Sequence, residues 1–203
     1  MCGIVGYIGD KDCFPILIKG LQRLEYRGYD SAGVAVSHVD EDRIQIFKKK
    51  GKVQDLLDHV GDEKPCGTSG IGHTRWATHG PPNDVNAHPH TARLGRLAMI
   101  HNGIIENYES LRKSLETNGH AFVSDTDTEV LIHLIEEVQS RTNCSIADAV
   151  QIALKEVEGA YAIAIIDASE PDLLIAARKS SPLVIGVGEE NEYYIASDAT
   201  PIV

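Results

Sequence analysis

The chain reads as an α+β domain. Strand-like segments occupy both ends, most of the helical periodicity falls between them, and the composition suits a single sizeable core. Strands at both ends with intervening helices suggest helices covering sheet faces. With 203 residues, 42% hydrophobic and 24% charged, the chain can bury one real core.

From Gly3 to Gly9 small and apolar residues alternate, which reads as a strand. Pro15 suits a first helical turn, Leu17, Leu21 and Leu24 recur at helical spacing, and Gly28 lies just past the expected end. Ala32 to Val39 and Arg43 to Lys49 read as strands joined by the acidic turn Asp40-Glu41-Asp42. Val53 to Val60 is a short amphipathic helix. Gly70 to Thr74 and Leu97 to His101 read as buried strands flanking a long polar stretch, Arg75 to Arg96. A loop of that length inside a compact domain is usually functional.

Asn107 to Asn118 reads as a helix stopped by Gly119. A second is announced by Thr126-x-x-Glu129, a capping-box pattern, with Val130, Leu131, Leu134, Ile135 and Val138 on one face. Ser145 to Val157 is a third. Ala160 to Ile166, Leu173 to Ala177, Leu183 to Val187 and Tyr193 to Ala196 then read as four successive antiparallel strands. The apolar ending Pro201-Ile202-Val203 suggests an incomplete domain.

A formal net charge of -11 argues against a nucleic-acid partner or an anionic membrane surface, which call for clustered Lys and Arg. No apolar run is long enough to span a membrane and no signal peptide is evident, so the chain reads as cytoplasmic. Cys2, Cys13, Cys66 and Cys144 show no zinc-finger or disulfide spacing. Cys13, Cys66 and Cys144 are expected as buried or half-buried free thiols.

Cys2 is different. If Met1 is removed, one residue carries both a thiol and a free α-amine. A thiol is mostly protonated at pH 7, and an α-amine titrating near neutrality is a suitable base for it. A second concentration of chemistry is His73-Thr74-Arg75-Trp76-Ala77-Thr78-His79-Gly80, leaving a strand for the long loop. Arg75 can clamp a carboxylate, Trp76 offers a flat wall, and Thr78 and His79 add polar groups. His73, His79, His88 and His90 raise the question of a metal, but their spacing does not fit a zinc site, so no metal and no cofactor is expected.

Asn102-Gly103 supplies an amide side chain beside a backbone N–H, the donor pair of an oxyanion hole, although Asn-Gly is also a common turn. In Asp125-Thr126-Asp127-Thr128-Glu129 the helix-capping reading outweighs a cation site, and Asp127 can still face a ligand ammonium. Arg27, within the charged run Arg23 to Gly33, can form a wall of the same pocket. A free α-amino acid with an amide side chain matches these groups jointly: carboxylate to Arg75, ammonium to Asp127, and carbonyl to Cys2, Asn102 and Gly103. That ligand is glutamine or a near relative.

These residues carry a family resemblance. Cys2 to Gly6, Arg23 to Gly33, His73 to Gly80, Asn86 to His90, His101 to Asn107 and Thr126 to Glu129 resemble the glutamine–fructose-6-phosphate aminotransferase family along essentially the whole chain. Other N-terminal-nucleophile amidotransferases share looser versions and remain the alternative, as does a catalytically silent glutamine-binding fragment. The resemblance implies a four-layer αββα sandwich of the N-terminal-nucleophile (Ntn) hydrolase type, spanning residues 1–203 and truncated at its C-terminus. It implies a glutaminase with Cys2 as nucleophile, Asn102 and Gly103 as oxyanion hole, and Arg75, Trp76, Thr78, His79, Asp127 and Arg27 around glutamine. It further implies that fructose 6-phosphate is engaged only by sugar-isomerase domains absent from this chain, in a homo-oligomeric full-length protein.

Overall fold

The computed structural model describes residues 2–38, 43–189 and 191–202. The expected turn at Asp40-Glu41-Asp42 lies outside them. Strand β1 (Gly3–Ile8) leads into helix α1 (Cys13–Leu24), whose Asp12 side chain accepts the Phe14 N–H at 3.2 Å. A single 3-10 turn, Glu25–Arg27, closes the helix at Gly28. Next come β2 (Ser31–Ser37), β3 (Gln45–Lys50), α2 (Val53–Val60) and β4 (Ser69–Arg75). The long polar stretch holds the two-residue strand β5 (His90–Thr91) and precedes β6 (Leu97–Ile105). The helices α3 (Tyr108–Thr117), α4 (Asp127–Thr142) and α5 (Ile146–Ala153) follow, then β7 (Gly159–Asp167), β8 (Leu174–Lys179), β9 (Val184–Val187) and β10 (Tyr193–Ala196).

The strands form two antiparallel sheets, one of six in the order β3-β2-β4-β1-β10-β9 and one of four in the order β5-β6-β7-β8. Side chains alternate between the faces of a strand, and each alternate set finds its own core. Val5, Tyr7, Val34 and Val36 pack beneath α1 and α2 with Leu17, Leu21 and Leu56. Leu97, Met99, Ile163 and Ile165 pack against α4 and α5 through Leu131, Ile135 and Val150. The opposite set, Ile4, Ala35 and Ile71 from one sheet with Ala98, Ile100, Ala162 and Ala164 from the other, fills the space between sheets. The result is the four-layer αββα sandwich, helices outside and sheets inside. The alanines of β6 and β7 keep the middle layer thin, so a large residue there would overpack it at a cost of about 1–3 kcal/mol.

Several expectations need correction. The last four strands pair antiparallel as expected, but not within one sheet: β7 and β8 close the small sheet, then the chain crosses to the large sheet, where β9 and β10 pair and β10 joins β1. Local alternation is the same in both sheets, so periodicity could not distinguish them. The strand expected to end at His101 runs on to Ile105, because β7 pairs with it through Gly159. Helix α5 stops at Ala153 rather than Val157. Thr126 caps α4 as expected, accepting the Glu129 N–H at 3.3 Å. The Glu129 carboxylate, however, takes the Val123 and Ser124 N–H groups at 2.9 and 2.7 Å and the Ser124 hydroxyl at 2.6 Å. It therefore fastens the segment entering the helix. Cys66 is exposed, not buried, because it lies in the irregular stretch before β4.

Candidate active site

The site grows out of the middle layer. On β1, β4 and β6 the inter-sheet residues Ile4, Ile71 and Ile100 are followed, two positions along the same face, by Cys2, His73 and Asn102. One pleat further, the apolar filling of the sandwich gives way to polar groups, at the same end of the layer in both sheets. The Trp76 N–H donates to the Cys2 sulfur at 3.1 Å, and the thiol lies 3.4 Å from the Trp76 carbonyl. Burial pushes the Cys2 thiol above its ordinary range. The Trp76 N–H offsets part of this, Asp30 adds to the rise and Arg75 opposes it.

Asn102 crosses from the opposite sheet and donates through Nδ2 to the Cys2 carbonyl at 3.1 Å. That bond fixes which way the amide faces, since the reverse orientation would set oxygen against oxygen. The Asn102 Oδ1 then faces His73 Nε2 at 2.9 Å, so His73 is the donor. His73 is fully buried, and burial drives its pKa down to about 3, which keeps the ring neutral near pH 7. Its ring lies 4.3 Å from that of His88, which in turn lies 4.8 Å from that of His90. The Thr128 hydroxyl joins His88 Nε2 at 2.8 Å and His101 Nδ1 at 3.0 Å, and Thr126 meets His90 Nε2 at 3.0 Å. Burial lowers the pKa of His88, His90 and His101 as well. Of the four histidines first considered for a metal, three share this hydroxyl- and amide-bonded cluster, while His79 stacks edge-on to Tyr108 at 5.0 Å. Gly103 follows Asn102 at φ 127°, and a Cβ there would lie 2.0 Å from the Ala160 carbonyl, so the position requires glycine.

The loop wall is built differently. Arg75, the last residue of β4, is buried, and its guanidinium donates to the carbonyls of His79, Gly80 (3.3 Å) and Pro81 (3.4 Å). Asp30 binds the Ala77 N–H and lies 3.8 Å from Arg75, holding the turn from the other side. Trp76 stays 55% exposed, its ring laid over Gly28, where any Cβ would come within 2.7 Å of it. Thr78 is exposed and His79 half-buried. Farther along, Asn86 bonds Pro81 O (3.0 Å) and both the N–H (3.0 Å) and carboxylate (3.2 Å) of Asp125, which ties the loop to the start of α4.

Asp127, in the first turn of α4, is buried; its Oδ2 accepts the Ile105 N–H at 2.9 Å, and Oδ1 lies 3.9 Å from His101 Nδ1. Arg27 reaches the Ser197 hydroxyl at 3.0 Å. A cavity of about 430 Å³ is lined by Cys2, Arg27, Arg75, Trp76, Thr78, His79, Asn102, Gly103 and Asp127, so all nine candidate site residues meet in one place. His88, His101, Ile104, Thr126 and Thr128 also line it, as do Ser181 and Pro182, from the crossing between β8 and β9. Sequence reasoning missed Ser181 and Pro182, because no motif marks that connection. It had also placed no role on Thr128, a residue that reads as ordinary first-turn helix sequence.

The chain is similar to known proteins along its whole length. Residues 73–203 match the glutamine amidotransferase domain, and the chain belongs to that family. It is an enzyme domain of the Ntn-hydrolase type. Among curated relatives, glutamine–fructose-6-phosphate aminotransferase (isomerizing) of Bacteroides thetaiotaomicron is 59% identical over the whole chain, and that of Clostridium tetani 51%. The chain spans about a third of the length of these relatives, 33% and 32% respectively. Among solved structures, the glutamine phosphoribosylpyrophosphate amidotransferase of B. subtilis superimposes with a TM-score of 0.84 at 28% identity, over 99% of this chain and 43% of that one. An allosteric regulatory enzyme of purine biosynthesis gives 0.86 at 29%, with the same coverage. Among the described residues no helix is long and apolar enough to cross a membrane.

Proposed function

We propose that the cavity hydrolyses the side-chain amide of L-glutamine with Cys2 as nucleophile, once Met1 has been removed. The observation that carries this reading is the meeting of the Cys2 thiol, the Asn102 amide and the Asp127 carboxylate in one cavity with Arg75. The Asp127 carboxylate receives the substrate ammonium through the oxygen that Ile105 leaves open. Arg75 holds the loop with some of its five N–H donors and gives others to the substrate α-carboxylate. Trp76, Thr78, His79 and Arg27 enclose the remainder of the ligand.

A thiol raised by burial does not ionise unaided near neutrality, so the reaction needs a base. The Cys2 α-amine, acting through a water, removes the thiol proton. Sulfur adds to the δ-carbonyl, and the oxyanion is held by the second Nδ2 hydrogen of Asn102 and the Gly103 N–H. Collapse breaks the carbon–nitrogen bond, and the ammonium returns the proton to the leaving ammonia. A γ-glutamyl thioester remains. Water cleaves it to glutamate and restores the thiol. In the longer polypeptide of which the relatives are examples, the ammonia is passed to fructose 6-phosphate by residues beyond these 203. Four free cysteines accord with a reducing, cytoplasmic setting.

Intact mass combined with labelling by an electrophilic glutamine analogue tests the assignment. One adduct on Cys2 in the Met1-free protein is expected, and Cys2→Ala should lose both the adduct and turnover. An adduct on Cys13, Cys66 or Cys144, or full turnover with Met1 retained, overturns it.

A further inference from the structure

A second cluster of ligating groups lies outside the cavity, where the connection from α3 meets α4. His120 belongs to the connection; His133 and Glu136 stand three residues apart on α4. His120 Nδ1 and His133 Nδ1 are 2.8 Å apart, and one ring nitrogen from each histidine and one Glu136 carboxylate oxygen all lie within 4.8 Å of one another. His133 is 2% exposed and the His120 side chain 7%. None of the three lines the active-site cavity.

The outer nitrogens of both rings face carboxylates. His120 Nε2 meets Glu137 Oε2 at 3.0 Å, and His133 Nε2 lies 3.9 Å from Glu129 Oε1. A carboxylate on the outer nitrogen holds a proton there and turns the inner lone pair inward, the support usual for a metal-bound histidine. With His120 in that tautomer its Nδ1 is a bare acceptor facing His133 Nδ1, so the 2.8 Å contact calls for a proton on His133 Nδ1 or a cation between the rings. Glu136 is anchored through Oε2, which accepts the Arg93 N–H at 3.2 Å. That leaves its other oxygen for a ligand.

We propose that His120, His133 and Glu136 bind one divalent cation of the zinc class, with water as the fourth ligand. Two imidazoles and one carboxylate are a donor set that suits zinc. Tetrahedral zinc at about 2.0–2.1 Å from each nitrogen sets them about 3.3 Å apart, so the rings need to separate by about 0.5 Å. The role is structural. The ion staples the α3–α4 connection to α4, next to the Glu129 clasp on Val123 and Ser124 and hence to the segment that delivers Asp127. A plain N–H···N hydrogen bond between the rings is the competing account of the 2.8 Å contact.

Titration of the metal-free protein with CoCl2, followed by visible absorption, separates the two. One Co2+ per chain with the intense bands of four-coordinate cobalt is expected, displaced by ZnCl2. His120→Ala should abolish binding. Glu136→Gln and Glu137→Gln, milder changes on the outer face of α4, should weaken it about 10- to 100-fold. Zinc at a hundredfold excess over its dissociation constant should raise Tm by about 5–10 °C in the unaltered protein and not in His120→Ala. No saturable cobalt uptake, or uptake unchanged in all three variants, overturns the proposal and leaves a histidine hydrogen bond.

Discussion

The two walls of the cavity hold their functional groups in different ways. On the strand wall, Cys2, His73 and Asn102 continue the alternation that fills the middle layer with Ile4, Ile71 and Ile100. Their positions are set by register, and His73, Asn102 and the Cys2 carbonyl are bonded to one another within the layer. On the loop wall, Trp76, Thr78 and His79 lie past the end of β4 and outside strand register; the turn that carries them is held by Arg75 and Asp30 gripping its backbone groups. A group that stabilises developing charge gains most when it is fixed beforehand, and a group that encloses a ligand can follow it in. The strand wall is therefore expected to govern kcat and the loop wall KM.

Beyond Cys2 itself, whose removal should abolish turnover, the largest effect is expected at Asn102. Asn102→Ala should lower kcat for glutamine hydrolysis by about 10²–10³, with a small change in KM; an unchanged kcat would return Asn102 to a purely structural place in β6. His73 comes next, because it orients the Asn102 amide without reaching substrate. His73→Leu leaves a buried carbonyl oxygen unpaired, a loss of about 1–3 kcal/mol, and should appear in kcat more than in KM. His73→Gln, which restores an N–H donor, should recover part of it. An equal loss in His73→Leu and His73→Gln would mean that packing alone matters.

The same burial makes the strand wall sensitive to acid. A histidine whose folded pKa is depressed stays neutral while the unfolded chain takes up a proton near pH 6.5. Stability is then lost as pH falls below about 6.5, by up to about 1.4 kcal/mol per pH unit for each such group. For His73 the loss continues down to its folded value, about 3. Urea denaturation at pH 7 and pH 5 should show a clear drop that is smaller in His73→Gln; a drop of the same size in both would remove His73 from this account. The smallest effect is expected on the loop wall. Trp76→Ala should raise KM for glutamine by about two- to tenfold and leave kcat unchanged. A fall in kcat instead would show that the loop also aligns Cys2, to which the Trp76 N–H is bonded.

Much was legible in the chain itself. The helix bounded by Val53 and Val60 and the cap at Thr126 are local, written in spacing and capping chemistry, and they stand where the sequence put them. All nine candidate site residues were named from motifs and family resemblance, and they converge on one cavity. The misses have a common cause. The crossing from β8 to β9, the added length of β6 through its pairing with β7, and the contribution of Ser181 and Pro182 each depend on a strand finding a partner far away in sequence. The redirected Glu129 carboxylate is a local competition that the capping pattern could not rank.

By itself the sequence determined which segments alternate, where helices begin, which residues carry reactive groups, and the family to which they belong. These follow from local sterics, side-chain chemistry and the family motifs. Only the tertiary structure decided which sheet each strand joins. It also decided that the polar ends of β1, β4 and β6 coincide, and that Asn102 presents nitrogen rather than oxygen to Cys2. Strand alternation is the same in either sheet, and an amide is symmetric in outline until a buried donor and acceptor, here His73 and the Cys2 carbonyl, break that symmetry.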